Sequence, residues 1–146
     1  MHITARTDYA LRAMLALAAA EPTAVTASAL ASGERLPLTF LKTILSELRG
    51  ADLIVSQRGP DRGYRLTRPP GEITVGEVIR VVDGSLTDVR DATYDGAAVH
   101  LGQIWLAADT AVLSIVDGVT LADIVAGHFP AHVRDIIAPG GRPSPS

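Results

Sequence analysis

Two arginines stand in a short glycine-rich turn, and their chemistry suits contact with phosphate groups. Arg58 and Arg62 flank the sequence Gly-Pro-Asp, and Gly63 follows them. The glycines permit backbone angles that other residues avoid, and the proline stiffens the turn. Such a turn can hold guanidinium groups away from the protein body, where they can pair with phosphate oxygens or enter a narrow minor groove. The alternative is a surface hairpin whose arginines only maintain solubility.

A helix with two chemically different faces precedes this turn. In residues 37–50 the apolar positions recur at spacings of three and four, which places them on one stripe. The residues of this stripe are Leu41, Ile44, Leu45 and Leu48. The second face carries hydroxyl and ammonium groups that can reach base edges or phosphates in a major groove. Its residues are Thr39, Lys42, Thr43 and Ser46. Taken alone, this pattern is more typical of an ordinary amphipathic helix with a solvated face.

The surrounding elements complete a winged helix-turn-helix pattern. An alanine-rich helix is predicted at residues 4–20, and Thr26 is a suitable N-cap for a short helix at 27–31 that ends at Gly33. Residues 53–57 and 64–66 are predicted as strands on either side of the arginine turn. We therefore expect a mostly α fold with a small β wing, with the helix-turn-helix at about 26–50 and the wing at about 53–67. The candidate DNA contacts are Thr39, Lys42, Thr43, Ser46, Arg58, Gly59, Arg62 and Arg65.

A long apolar helix is predicted in the C-terminal half, at about residues 97–116. It follows a shorter helix, which opens with a capping box from Thr74 to Glu77, and a polar, acidic loop at 85–96. The apolar seam of the long helix consists of Leu101, Ile104, Trp105, Ala108, Val112 and Ile115. This seam can pack on its own domain or on its copy in a second subunit. Thr120 caps a short last helix, and residues 139–146 are expected to be a disordered tail.

The composition excludes several classes of protein. The chain has 146 residues and is 47% apolar, which suffices for one domain with a core and excludes a disordered protein. Cysteine is absent, so no disulfide, thiolate nucleophile or cysteine-ligated metal is available within this chain. No apolar run is expected to approach the length of a membrane span, and the N-terminus lacks a secretory signal pattern. We therefore expect a cytoplasmic protein without a membrane partner.

The charge is divided unevenly along the chain. The net charge of −3 is unusual for a protein that binds DNA. Residues 1–70, however, contain nine basic and six acidic residues, whereas residues 71–146 contain four basic and ten acidic residues. The N-terminal part is therefore +3 and the C-terminal part −6. This division fits a DNA-binding head on a body that faces away from DNA, although an asymmetry of this size can also be accidental.

Several ordered motifs together resemble a known family, the Rrf-two-type transcription regulators (the IscR, NsrR and CymR group). The resemblance covers roughly residues 1–127. The matching segments are residues 3–4, 8–14, 38–41, 48–49, 58–60, 63–64, 73–79, 82–84 and 120–125. The resemblance implies a winged helix-turn-helix region at 1–84, an acidic loop at 85–96 where relatives bind a cluster, and a dimerisation helix with a short last helix at 97–127.

The resemblance also implies a DNA partner and a quaternary structure. A homodimer would bind a pseudo-palindromic operator in double-stranded DNA, with one half-site for each head. The seam at 101–115 would form the dimer interface. By position, Thr39, Lys42 and Thr43 match recognition-helix contacts, and Arg58 matches a wing arginine that enters the minor groove. Lys42 replaces an acidic residue of IscR-like members. Because an ammonium cannot accept a hydrogen bond from cytosine, the operator preference should differ.

This chain departs from the family at the iron–sulfur cluster. Cluster-binding members carry three cysteines between the capping-box helix and the dimer helix, and residues 85–102 contain none here. Asp8 matches a ligand position of some relatives and His100 lies nearby, but these groups without thiolates are a poor iron–sulfur site. His100, His128 and His132 show no zinc-ligand spacing. We therefore predict no cofactor and no metal, and a response to a small-molecule effector or a protein partner.

Three functions remain open on the sequence alone. The first is a dimeric, sequence-specific transcription regulator, which in this group is more often a repressor. The second is a protein-interaction module whose acidic C-terminal part binds an enzyme or another regulator. The third, an enzyme, is not expected, because the chain contains no cysteine nucleophile, phosphate-binding loop, paired-carboxylate motif or metal signature.

Overall fold

The protein is described by a computed structural model over residues 3–84 and 92–138. The predicted architecture is confirmed within these residues, which are mostly helical with one two-stranded antiparallel sheet. Short 3-10 turns occupy Pro70–Glu72 and Gly96–Ala98. The elements in chain order are α1 (Ala5–Ala20), α2 (Ala27–Glu34), α3 (Leu38–Gly50), β1 (Ile54–Gln57), β2 (Gly63–Leu66), α4 (Val75–Val82), α5 (Leu101–Asp117), α6 (Leu121–Ala126) and α7 (Ala131–Ile137).

Threonine side chains start four of these helices. Each hydroxyl oxygen accepts a hydrogen bond of 3.0–3.1 Å from the backbone N–H three residues later. The four residues are Thr4, Thr26, Thr74 and Thr120. At α4 the carboxylate of Glu77 completes the capping box by accepting the Thr74 N–H at 3.2 Å. The predicted caps at Thr26, Thr74 and Thr120 are confirmed, and each is worth about 1 kcal/mol of stability.

The main core lies around α1. Ala10, Met14 and Leu17 of this helix are fully or almost fully buried, and the apolar stripe of α3 packs against them. The same cluster includes Ile73, which precedes α4, Val78 of α4 and Leu121, the first residue of α6. Burial of each leucine, isoleucine, valine or methionine side chain in this core contributes about 1.5–3 kcal/mol. The core therefore fixes one face of α3 and leaves its polar face towards solvent.

Some boundaries differ from those expected. α2 does not end at Gly33 but continues to Glu34, and Arg35 takes the left-handed conformation (φ 55°) that was expected of glycine. The strained backbone is offset because the next residue, Leu36, is buried and donates its N–H to the carbonyl of Ala31. α5 begins only at Leu101, and α7 was not predicted. Residues 85–91 of the acidic loop and the tail at 139–146 lie outside the described residues.

The C-terminal end of α5 is held against the winged helix-turn-helix region (the head, residues 3–84) by an ion pair and apolar contacts. The guanidinium of Arg80 on α4 donates to both carboxylate oxygens of Asp117, at 2.5 and 2.6 Å. This hydrogen-bonded pair lowers the pKa of the Asp117 carboxyl and raises the pKa of Arg80, in both cases against a smaller effect of desolvation. Beside it, Val112 and Val116 pack against a small cluster formed by Val75, Ile79 and Val119. This end of the predicted seam is therefore half-buried within its own chain.

The N-terminal half of α5 is largely exposed, as judged from residues 3–84 and 92–138. Ile104 and Leu106 are 60% and 66% exposed, and Trp105 is 37% exposed. The expectation that no segment reaches the size of a membrane span is wrong by length and composition, because Gly96–Asp117 is long and apolar enough to cross one. Asp109 interrupts this segment near its middle and is itself buried against the protein. A carboxylate at the centre of a bilayer costs about 2.5–3.5 kcal/mol, which argues against that use of the helix.

Candidate nucleic-acid interface

The polar face of α3 is fully accessible. Thr39, Lys42, Thr43 and Ser46 are all exposed. The apolar stripe on the other side of the helix, Leu41, Ile44, Leu45 and Leu48, is completely buried. The two predicted faces of this helix are therefore confirmed. The exposed face offers three hydroxyl groups and one ammonium, a set able to donate to phosphates and to both donate to and accept from base edges.

Two contacts with α1 hold α3 in place. The guanidinium of Arg6 donates to the carboxylate of Glu47 at 2.5 Å and to the carbonyl of Val82 at 3.3 Å. At the other end of α3, the ring of Phe40 meets Tyr9 edge to face, with ring centroids 5.6 Å apart. These contacts lie beside the exposed face rather than on it. They orient the polar side chains of α3 without using them.

The wing is a short hairpin with an arginine-rich tip. β1 and β2 pair in antiparallel register, from Ile54 opposite Leu66 to Gln57 opposite Gly63. Arg58, Gly59 and Arg62 at the tip are exposed, as predicted for this turn. Gly59 has φ 93°, a conformation that side chains rarely adopt. The turn therefore carries both guanidinium groups beyond the last strand pair.

A second pairing anchors the wing to the segment between α1 and α2. The N–H of Val25 donates to the carbonyl of Tyr64 at 3.0 Å, and the N–H of Tyr64 donates to the carbonyl of Val25 at 2.7 Å. Gly63, with φ 141°, lies directly against this backbone, and a Cβ there would meet the carbonyl carbon of Val25 at 2.5 Å. Glycine at this position is what allows the wing to pack on the helix-turn-helix.

We expect Gly63→Ala to destabilise the protein by about 3 kcal/mol, because the left-handed conformation and the contact with Val25 are both unfavourable for a side chain. Gly59→Ala is the matched control, since it also has a positive φ but open space around its Cβ, and it should cost only about 1 kcal/mol. Urea denaturation gives both values. Equal losses would show that the packing of the wing against Val25 contributes nothing.

Arg65 is placed differently from the other wing arginines. It is half-buried, and its guanidinium forms an ion pair of 3.3 Å with Glu21 at the end of α1. Its Nε atom is buried without a hydrogen-bond partner among the described residues. The predicted DNA contact by Arg65 stays a prediction. In this structure its guanidinium ties the wing to α1.

The basic residues of the head fall into two groups. Residues 3–84 contain ten lysines and arginines, and five of them form ion pairs with acidic side chains. The paired residues are Arg6, Arg12, Arg65, Arg68 and Arg80. The other five have no ion-pair partner within the described part of the chain and are exposed, namely Arg35, Lys42, Arg49, Arg58 and Arg62. All five lie in the helix-turn-helix and the wing, which makes this surface the free cationic surface of the head.

Two members of this surface were missed in the sequence. Arg35 occupies the turn between α2 and α3, and Arg49 lies in the last turn of α3. Their position within the predicted helix-turn-helix at about 26–50 was an available signal. The lack of a nearby acidic side chain could not be predicted from the sequence, because it depends on the fold.

Within residues 3–84 and 92–138, no three His, Cys, Asp or Glu side chains lie together in a way that could hold a metal ion. Asp8 lies 3.5 Å from the guanidinium of Arg12. His100 occupies the N-cap position of α5, and a ring nitrogen of His132 lies 3.2 Å from the carbonyl of Ile115. With no cysteine in the chain, this donor set does not suit an iron–sulfur cluster.

Curated relatives of this chain are named as transcription regulators. A candidate HTH-type transcriptional regulator of Mycobacterium tuberculosis H37Rv is 39% identical over 142 residues, which span 93% of this chain and 88% of that protein. The HTH-type transcriptional regulator IscR of Aliivibrio salmonicida is 31% identical, over 92% of this chain and 83% of its own. The similarity in each case includes the head, the wing and α5.

Solved structures agree with this similarity. CymR, the global cysteine regulator of Bacillus subtilis, superposes with a TM-score of 0.74 at 29% identity, over 86% of this chain and 97% of its own. IscR of T. potens gives the same TM-score at 27% identity, over 87% and 88% of the two chains. The Rrf2 family model, described as an iron-dependent transcriptional regulator, matches residues 3–127. The chain belongs to the Rrf2 family of helix-turn-helix transcription regulators.

Proposed function

We propose that this protein is a dimeric, sequence-specific DNA-binding regulator, acting as a repressor, that works without an iron–sulfur cluster. The observation that carries the proposal is the free cationic surface of the head, whose residues lie before α3, on α3 and at the tip of the wing. Five exposed cations without acidic partners among the described residues create a positive potential at this surface, which attracts a polyanion. If this surface were only a solvated face, its basic residues could be paired with acidic residues, as the arginines elsewhere in the head are.

The proposed contacts follow from the shapes of the two elements. α3 presents Thr39, Lys42, Thr43 and Ser46 outward on one side of a helix, and a helix of this diameter fits the major groove of B-DNA. The wing presents Arg58 beyond the strand pair, where it reaches the adjacent minor groove, and Gly59 lets the backbone approach the duplex. Arg62 and Arg65 would then face phosphates, Arg65 only after releasing Glu21.

The bare half of α5 supports the proposed dimer. An apolar helix that the described residues of its own chain leave exposed is stabilised by a partner that excludes water from it. A second copy supplies the same helix, and the seam Leu101, Ile104, Trp105, Ala108, Val112 and Ile115 would form the interface. A two-fold axis through it would pair two heads and so require a pseudo-palindromic operator. A regulator that binds chromosomal DNA would act in the cytoplasm, and we propose this location for the protein.

The proposed regulator has no evident cluster. The cysteine-free donor set of the chain supports a signal of another kind, a small-molecule effector or a protein partner. The second function considered from the sequence, a module acting only through a protein partner, is not favoured by a family of HTH-type regulators.

The test of this function is a comparison of specific and scrambled DNA. A duplex selected from a random library should bind at least about a thousandfold more tightly than a scrambled duplex of the same composition. Both affinities should fall steeply with salt, as expected for contacts to several phosphates. Equal affinities for the two duplexes would exclude a sequence-specific regulator.

Thr43→Ala should relax the preference at one base position in each half-site by about 1 kcal/mol, because it removes a hydroxyl from the exposed face of α3. Thr23→Ala is the control, since Thr23 is also exposed but lies in the connection between α1 and α2. Binding to a set of single-base operator variants measures the preference. An unchanged preference profile would remove Thr43 from the base-reading residues.

A further inference from the structure

The carboxylate of Asp117, the last residue of α5, lies directly against the first turn of α4. A Cβ added at Gly76 would overlap the Oδ1 atom of Asp117, so glycine at this position is what lets the carboxylate approach the helix. Arg80, one turn further along α4, donates to both carboxylate oxygens. Asp117 is thus held between a helix backbone and a guanidinium group. We call these three residues, Gly76, Arg80 and Asp117, the clasp.

A backbone pairing joins the residues next to the clasp. The N–H of Val75 donates to the carbonyl of Val119, and the N–H of Leu121 donates to the carbonyl of Ile73, both at 2.9 Å. This pairing fixes the point at which the two segments meet, and the apolar cluster between α4 and α5 attracts the helices without a preferred direction. The clasp adds a second, separate contact that is directional, because a guanidinium pairs with a carboxylate through two parallel hydrogen bonds. Together the two contacts fix the angle at which α5 leaves the head.

The length of α5 amplifies any change in this angle. The helix has 17 residues, so it extends about 25 Å at 1.5 Å per residue. The clasp lies at its C-terminal end, and the exposed apolar half lies at the other end. A tilt of about 8° at the clasp would move that far end by about 3.4 Å, the height of one base-pair step. A small change at the clasp is therefore large enough to matter on the scale of a DNA duplex.

We infer that the clasp sets the distance between the two heads of the dimer, and with it the number of base pairs between the two half-sites of the operator. The inference rests on the proposed function, in which the exposed half of α5 forms the dimer interface. The clasp residues are positioning residues, because none of them lies in the helix-turn-helix or the wing. Arg80 and Asp117 are both partly exposed, and an exposed ion pair contributes little to stability. The consequence of this pair is therefore geometric.

The first test changes Gly76. In Gly76→Ala the new Cβ displaces the carboxylate of Asp117, which can move away because it is the end of a side chain. Alanine is more favourable than glycine within a helix, so the head should remain folded. On duplexes that differ only in the number of base pairs between the half-sites, the wild type should prefer one spacing at least about tenfold over its neighbours, and Gly76→Ala should reduce this preference below about threefold. The base preference within each half-site should not change.

Gly71→Ala is the matched control for this substitution. Gly71 is exposed just before α4, and a Cβ there would meet, among the described residues, only the Cβ of Ala122, at an ordinary distance of 3.9 Å. The control should keep the spacing preference of the wild type. An unchanged spacing preference in Gly76→Ala, or an equal change in Gly71→Ala, would overturn the inference.

A second measurement needs no DNA. The chain contains no cysteine, so Ser32→Cys, at an exposed position of α2, carries one spin label on each head. Dipolar spectroscopy of the labelled dimer should give one narrow distance without further substitution and for Gly71→Ala. For Gly76→Ala and Arg80→Ala the distance should shift or broaden by at least about 5 Å, because both heads move on their helices. A lower melting temperature with an unchanged distance would show a purely stabilising role and overturn the inference.

Failure of the proposed function is distinguishable from failure of the inference. If the wild type is a monomer, or binds the selected and scrambled duplexes equally, the dimeric regulator is excluded and the inference is excluded with it. If the wild type is a dimer that prefers the selected duplex, the spacing preference and the distance between the heads in Gly76→Ala decide the inference alone.

Discussion

Ile104→Asp should convert the protein from a dimer into a monomer and lower its affinity for a two-half-site operator by roughly a hundredfold or more. Ile104 is 60% exposed, and the neighbouring Trp105 and Leu106 are exposed as well. A carboxylate there would be buried without a partner in a two-helix interface, which costs several kcal/mol. A monomer retains one head, so each half-site is bound alone and the gain from linking two heads is lost.

Gln103→Asp is the control for this prediction. Gln103 is exposed on the same turn of α5, is already polar, and acquires the same charge. Analytical ultracentrifugation should show a dimer for the wild type and the control and a monomer for Ile104→Asp. Circular dichroism should show the same helical content in all three, because the head has a core of its own. A monomeric wild type, or a dimeric Ile104→Asp with full operator affinity, would contradict the proposed interface.

The parts of this fold that could be predicted from the sequence are those controlled by local signals. The stripe and polar face of α3 follow from helical spacing, and both are confirmed. The threonine caps of α2, α4 and α6 follow from hydroxyls placed before apolar runs. The wing turn follows from its glycines and proline. In each case the information lies within a few neighbouring residues.

The parts that could not be predicted depend on residues far apart in the chain. Arg65 and Arg58 look alike as wing arginines, yet Arg65 meets Glu21, which lies 44 positions away in sequence, and Arg58 meets no acid among the described residues. The left-handed Arg35 is another example. Gly33 seemed the natural end of α2, but burial of Leu36 against the core decided where the helix stopped.

The same distinction limits the functional prediction. The list of candidate DNA contacts was chosen by residue type and position in the hairpin, so it included Arg65 and omitted Arg35 and Arg49. The ion pairs of the folded head separate cations that are already neutralised from cations that are free. Two of the free cations, Arg58 and Arg62, lie together in the turn at the tip of the wing. The wing thus combines two proposed tasks, entry into the minor groove and contact with the backbone strand.

Arg58→Ala should weaken binding to the selected operator by about 2 kcal/mol, or roughly thirtyfold, because it removes charge-assisted hydrogen bonds at the tip of the wing. The loss should be largest on duplexes with an A·T-rich segment beside each half-site, because a narrow minor groove concentrates negative potential and attracts arginine. Arg58→Lys should recover only part of the affinity, since a single ammonium keeps the charge but lacks the planar guanidinium.

Arg134→Ala distinguishes a local effect of Arg58 from a loss of net charge. Arg134 is exposed on α7, has no ion-pair partner in the described ranges, and lies outside the helix-turn-helix and the wing. Its removal changes the net charge by the same amount and should alter operator affinity by less than about threefold. Fluorescence anisotropy on duplexes with A·T-rich and G·C-rich flanks compares the variants directly. If Arg58→Ala and Arg134→Ala lose the same affinity on both duplexes, Arg58 does not enter the minor groove and contributes only through the overall field of the head.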